Sequence, residues 1–232
     1  LILQEEFSPA IVYNALEVFN MVKLAALGIA AGICLGLPVL ATNQSSPETK
    51  KSFTGTALLI IDIQNFYFQG GKIPLEGSLE ASLQAKKMLD RFRTEGLPVV
   101  HIRHVPLNAD GLDAAYAIHP NVAPGAGEKV VVKHYANSFR DTDLLDYLRR
   151  RSIGRLVICG MQTHMCVEAA VRSAADSGFE VILLEDACAT RNLNFGGVEI
   201  PARQVHYAVL ATLSGTYARV VKTDDLLEEF AR

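Results

Sequence analysis

The stretch Arg155–Thr190, RLVICGMQTHMCVEAAVRSAADSGFEVILLEDACAT, decides the fold. It opens on an unbroken apolar run, Leu156 to Cys159, of the kind carried by a strand buried on both faces of a parallel sheet. Gly160 ends the run. Cys166 follows a short turn, and a helix-period segment continues to Ala175. Gly178 closes that segment, and a second buried strand runs from Phe179 to Leu184. A strand–turn–helix–strand unit handles ligands at the carboxyl ends of its strands. Cys166 thus falls where the first N–H groups of a helix point outward, a place that favours a thiolate. The residues alone leave two readings open: a nucleophile, or a buried helix cysteine, since free cysteine is among the most buried residue types.

Half of the 232 residues are hydrophobic, enough for one domain of ordinary size with a substantial core. The formal charge of −3 carries no basic surplus, so nucleic acid is not an expected partner. The four cysteines include no CxxC pair, which speaks against a zinc knuckle or a disulfide scaffold.

The first 41 residues read as separate from the fold. Residues 1–20 lack a starting methionine and read as an upstream extension translated by mistake. From Met21 the text becomes MVKLAALGIAAGICLGLPVLA. Lys23 supplies a short positive region, Leu24 to Leu37 an apolar one, and Val39-Leu40-Ala41 a small-residue cleavage site, the layout of a secretory signal peptide over 21–41. The expected location is secreted or periplasmic. An uncleaved membrane anchor and a cytoplasmic protein are the alternatives, and a membrane is a partner only in the first of these. Residues 42–53 read as a polar leader, and residues 54–232 as the domain.

Within the domain, Ala57–Ile63 is a second continuous apolar run, interrupted by Asp62. A carboxylate at the end of such a strand is costly to desolvate unless it has a partner or a task. A loop rich in aromatics and glycine follows. Leu79–Glu95 has helical spacing, and Leu97–Ile102 is the next strand. His101 and His104 invite a metal check, but they stand three apart across a strand end with no Asp-x-His element beside them, so no metal is expected. Val105–Glu128 is a long loop of the sort that forms lids or binding loops. Val130–Val132 then delivers Lys133. Asp143–Arg151 and Ile200–Leu213 read as helices, Asp186–Gly197 as a loop, Ala218–Val221 as a last short strand, and the segment after Thr223 as a terminal helix. Strands alternate with helices, which predicts an α/β fold: a three-layer α/β/α sandwich on a mainly parallel, Rossmann-like, six-stranded sheet.

Three strand ends then carry Asp62, Lys133 and Cys166. In this respect the chain resembles the isochorismatase-like cysteine hydrolases, a superfamily that also holds nicotinamidases and N-carbamoylsarcosine amidohydrolases. The text that carries the resemblance is ALLIIDIQNFYFQGG around Asp62, VVKHYANSF around Lys133, the long stretch around Cys166, and IPARQVHYAVLATL. The THMCV form and the DACATR tail are most similar to the streptothricin-hydrolase-like branch.

The resemblance implies an Asp62–Lys133–Cys166 triad and a cis peptide joining Met161 to Gln162. It also implies an oxyanion hole made of the backbone N–H groups of Gln162 and Cys166. The implied activity is hydrolysis of a C–N amide bond of a small molecule through a cysteine thioester, without a cofactor, in a homo-oligomer. Gln64, Phe66, Tyr67, Tyr135, Phe139 and His164 are candidates to line the pocket, with core packing the alternative for the aromatic ones. The nicotinamidase metal motif is absent, and isochorismatases proper lack the cysteine present here, so both of those activities stand as alternatives. A catalytically degenerate binding protein is a further one. A phosphate-accepting receiver domain would leave Cys166 without a task.

Overall fold

A computed structural model describes residues 53–231, save 110 and 112. The readings made for residues 1–20, 21–41 and nearly all of 42–53 lie outside the described residues.

Six strands form one sheet in the order β3-β2-β1-β4-β5-β8, and every neighbouring pair runs parallel. They are β1 (Thr56–Ile61), β2 (Val99–His104), β3 (Lys129–Lys133), β4 (Arg155–Met161), β5 (Glu180–Ala189) and β8 (Arg219–Val221). The helices are α1 (Ser78–Thr94), α2 (Leu144–Arg150), α3 (Glu168–Asp176), α4 (Ala202–Leu213) and α5 (Thr223–Ala231). This is the predicted three-layer sandwich.

The continuous apolar runs have a simple cause. On β1, Leu58 and Ile60 pack with Met88, Leu89 and Phe92 of α1 and Phe230 of α5. Ala57, Leu59 and Ile61, on the other face, pack with α2 (Leu144, Leu148), α3 (Val171) and α4 (Leu210, Leu213). A strand covered on both sides has no polar face to show. Each of these large side chains contributes roughly 1.5–3 kcal/mol by leaving water. Phe53, just before β1, stacks on Phe230 of α5 with ring centroids 3.6 Å apart.

Three segments differ from the sequence reading. The strand read as Phe179–Leu184 continues to Ala189, past Glu185 and Asp186, with a register shift against β4 between Ile158 and Gly160. Asp186 is tolerated there because its Oδ1 accepts from the N–H and the hydroxyl of Thr223 at the start of α5. Next, part of the expected loop is an antiparallel hairpin of β6 (Leu193–Phe195) and β7 (Val198–Ile200) turning on two glycines. Third, the long loop after β2 contains two 3-10 turns, at Ala114–Tyr116 and Pro120–Val122, and is pinned down. Val122 is buried within it and His119 stacks on Phe68 at 3.7 Å.

Candidate active site

The carboxyl ends of β1, β3 and β4 bring Asp62, Lys133 and Cys166 together. Asp62 follows the last residue of β1, its N–H still bonded to Ile102 O on β2 at 3.0 Å. Its φ of 51° lies in the left-handed region, which a non-glycine residue seldom occupies. On the next strand Gly160, at φ 137°, lets the backbones of β1 and β4 close up. A Cβ there would sit 2.0 Å from Ile61 O, so no other residue fits without moving a strand.

Lys133 ends β3, an edge strand, yet its side chain is fully buried. Its Nζ lies 2.8 Å from Asp62 Oδ2 and donates to the carbonyls of Tyr135 and Ala136 at 3.0 and 3.3 Å. Two backbone carbonyls and one carboxylate thus surround the buried ammonium, which can only donate. Burial pushes the Lys133 pKa down, but Asp62 and Cys166 more than offset it, and the net direction is up.

Cys166 sits in a single π-helical turn, Thr163–Val167, that precedes α3, so it stands two residues ahead of the α-helix rather than in its first turn. Such turns recur at functional sites. The Met161–Gln162 peptide is cis, as the resemblance implied. Cys166 is 6% exposed, and its thiol lies close enough to Asp62 and Lys133 for both to act on it electrostatically. The expected lowered thiol pKa is not what this setting gives. Burial and the Asp62 charge outweigh Lys133 and push the thiol up to about 12, so it rests protonated.

The pocket candidates divide. Tyr67 is at the site: Gln162 Nε2 donates to its hydroxyl at 3.2 Å, and Asp62 and Cys166 act on it electrostatically. Phe66 packs on Tyr67 at 4.0 Å. His164 shares the turn of Cys166 and bonds through Nδ1 to the Thr190 hydroxyl. The Tyr135 carbonyl holds Lys133, while its ring lies under Arg140 at 3.7 Å. Gln64 and Phe139 have partners within the fold. Gln64 is fully buried, with its amide spent on the backbone: Nε2 donates to His104 O and Tyr116 O, and Oε1 accepts from His104 N. Phe139 is half-buried and packs against the core cluster that includes Cys166, its ring 6.3 Å from that of Phe179.

His101 and His104 stand apart from one another in role. His101 bonds through Nε2 to Glu128 at 2.8 Å, and His104 anchors Gln64 through its N–H. One residue of the site went without a role in the sequence reading. Arg191 donates from Nε to Gln162 Oε1 at 3.2 Å and acts electrostatically on Tyr67 and His164. Its signal was in plain view: it ends the DACATR text, two residues after β5, whose carboxyl end borders the turn of Cys166.

The family model for the isochorismatase domain matches residues 56–225. The chain belongs to the isochorismatase family. Among its relatives, the isochorismatase family protein YddQ of Bacillus subtilis (strain 168) is 43% identical over 75% of this chain and 99% of that protein. Streptothricin hydrolase of Streptomyces noursei is 32% identical over 59% of this chain and 50% of its own length. Maleamate amidohydrolase of Pseudomonas putida is 27% identical over 75% and 85%. A solved structure from Oleispira antarctica, of the isochorismatase hydrolase kind, superposes with a TM-score of 0.73 at 46% identity, covering 76% of this chain and 98% of that one. The family is thus one of hydrolases, with amidohydrolases among them.

Proposed function

We propose that this chain hydrolyses a C–N amide bond of a small molecule through a thioester on Cys166. The observation that carries the reading is the buried Lys133–Asp62 ion pair at 2.8 Å with the Cys166 thiol against it. A buried ion pair is poor evidence of stability on its own. Set beside a thiol it has a task. Because the thiol rests protonated, Asp62 takes its proton as sulfur attacks the carbonyl carbon, and Lys133 holds the carboxylate in place. The backbone N–H groups of Gln162 and Cys166 receive the oxyanion. A lost donor of this kind costs about 3–4 kcal/mol of transition-state stabilisation. Asp62 then passes its proton to the leaving amine, and the thioester forms. Water, giving up a proton to Asp62, attacks the thioester; the carboxylic acid leaves, and the proton returns to sulfur.

From the sequence of residues 21–41 and the family resemblance we further propose an exported homo-oligomer whose signal peptide is residues 21–41. N-terminal sequencing of protein expressed from Met21 tests the export: an intact Met21 on cytosolic protein would sink that part. Turnover of a panel of primary and cyclic amides, with Cys166→Ala as control, tests the chemistry. A wild-type rate no higher than that of Cys166→Ala on every amide would end the hydrolase reading.

A further inference from the structure

Arg191, Gln162 and Tyr67 form a hydrogen-bonded row beside the triad, and the row has a direction. A guanidinium can only donate. Arg191 Nε therefore demands the oxygen of the Gln162 amide, and Oε1 lies 3.2 Å from it. With the oxygen so fixed, the amide NH2 faces the other way, where Nε2 donates to the Tyr67 hydroxyl oxygen. That hydroxyl has accepted a hydrogen bond and still carries a proton of its own. Among the described residues nothing accepts it. Tyr67 is 5% exposed, and a donor left unused at such a depth is costly unless something arrives to take it. Burial and the neighbouring Asp62 push the phenol pKa up, so the proton stays on at working pH.

The geometry points to Tyr67 as a hydrogen-bond donor to an acceptor atom that the substrate carries beside its scissile amide, with Arg191 as the positioning residue that sets the direction through Gln162. This rests on the amide-hydrolase reading above and narrows its substrate class to small amides with a carbonyl, ether or hydroxyl oxygen within a few bonds of the cleaved carbon. The scissile carbonyl itself is served by backbone N–H groups in that reading. Were the Gln162 amide to turn over, its oxygen would take the tyrosine proton and the donor would vanish. Arg191 prevents that turn, and lysine, also a pure donor, would prevent it too. Glutamine would not, since its amide both donates and accepts.

The test compares acetoacetamide with butyramide, which differ by one ketone oxygen. Tyr67→Phe, which keeps the packing on Phe66, is expected to lose about tenfold to a hundredfold in kcat/KM on acetoacetamide and under about threefold on butyramide. Arg191→Gln should show the same selective loss and Arg191→Lys should restore it. An equal loss on both amides, or none, overturns the donor assignment. A selective loss in Tyr67→Phe that Arg191→Gln does not share overturns the role of Arg191. NMR titration of both amides into Cys166→Ala, with and without Tyr67→Phe, reads the same preference with no turnover. A preference for acetoacetamide that Tyr67→Phe erases supports the donor even if wild type cleaves neither amide, a result that would count against the hydrolase reading alone. No preference in Cys166→Ala overturns the donor assignment.

Discussion

Two clusters of buried or half-buried charge sit on this sheet, and they are built to opposite rules. At one, Glu128 is saturated: it accepts from Arg93 Nε and Nη2, from the N–H of Gly125 and from His101 Nε2, all between 2.7 and 2.9 Å. It ties the end of the long loop to α1 and β2. At the other, Asp62 has one ammonium at 2.8 Å and a thiol beside it. The first cluster has spent its hydrogen-bonding capacity on the fold. The second leaves both carboxylate oxygens of Asp62 without a hydrogen bond among the described residues, beside a thiol that acts on the same lysine. Burial is common to the two, so burial does not tell them apart; spare hydrogen-bonding capacity does.

The two clusters should differ most in activity. Asp62→Asn should lower kcat on simple amides by about 10³-fold, because the proton acceptor is gone. Glu128→Gln should leave kcat within about twofold at temperatures where both proteins are folded. Steady-state kinetics on purified variants decide this, and a matching loss in Glu128→Gln would erase the contrast.

In stability the expected order is different. Lys133→Ala strands a buried carboxylate and should cost about 3–5 kcal/mol, read by urea unfolding. Adding Asp62→Asn to it should recover part of that, since no unpaired charge remains. A double variant no more stable than Lys133→Ala would mean that the lysine stem, rather than its charge, holds the strand end.

Glu128→Gln should cost less, about 2 kcal/mol at pH 7, with a definite pH signature. Arg93 first of all, then Gly125 and His101, hold the Glu128 carboxyl down at about 2, against the opposing effect of burial. Its folded pKa is below its unfolded one, so its contribution is complete above the unfolded value and fades as pH falls towards about 2. The stability gap between wild type and Glu128→Gln should therefore narrow from pH 5 to pH 3. A constant gap would assign the loss to packing.

The smallest effect has the most telling sign. Asp62 helps to hold the Cys166 thiol up at about 12, so Asp62→Asn should alkylate faster with iodoacetamide at pH 8 while turning over substrate more slowly. Peptide mapping with timed quenching follows the label on Cys166. Slower alkylation in Asp62→Asn would mean that the carboxylate assists the thiol even without substrate.

Much of this molecule was legible because its sheet is buried on both faces. The runs around Ile60 and Ile158 have no other reading, and the charged residues at their ends stand out for the same reason. The hairpin was illegible for the opposite reason. Phe195 is 84% exposed and Val198 65%, so no buried face imposes an alternating pattern on it. The far half of β5 was hidden by Glu185 and Asp186, and the place of Asp186 in a strand depends on Thr223, 37 residues away. The thiol direction was misjudged because sequence shows that a lysine is near but not how deeply the cysteine lies. Arg191 could be seen but not assigned, since its meaning resides in which atom of Gln162 it faces.

The stack of Phe53 on Phe230 has a consequence for how the chain can be cut and rejoined. It holds the two ends of the described domain side by side, far along the sequence from the turn at Gly196 and Gly197. A short flexible linker from Ala231 to Phe53 would close the domain into a ring, and that ring can be opened at the glycine turn to give new termini. Such a circular permutant should fold with its strand order intact. The order in which the strands leave the ribosome would then be a matter of choice rather than a property of the fold.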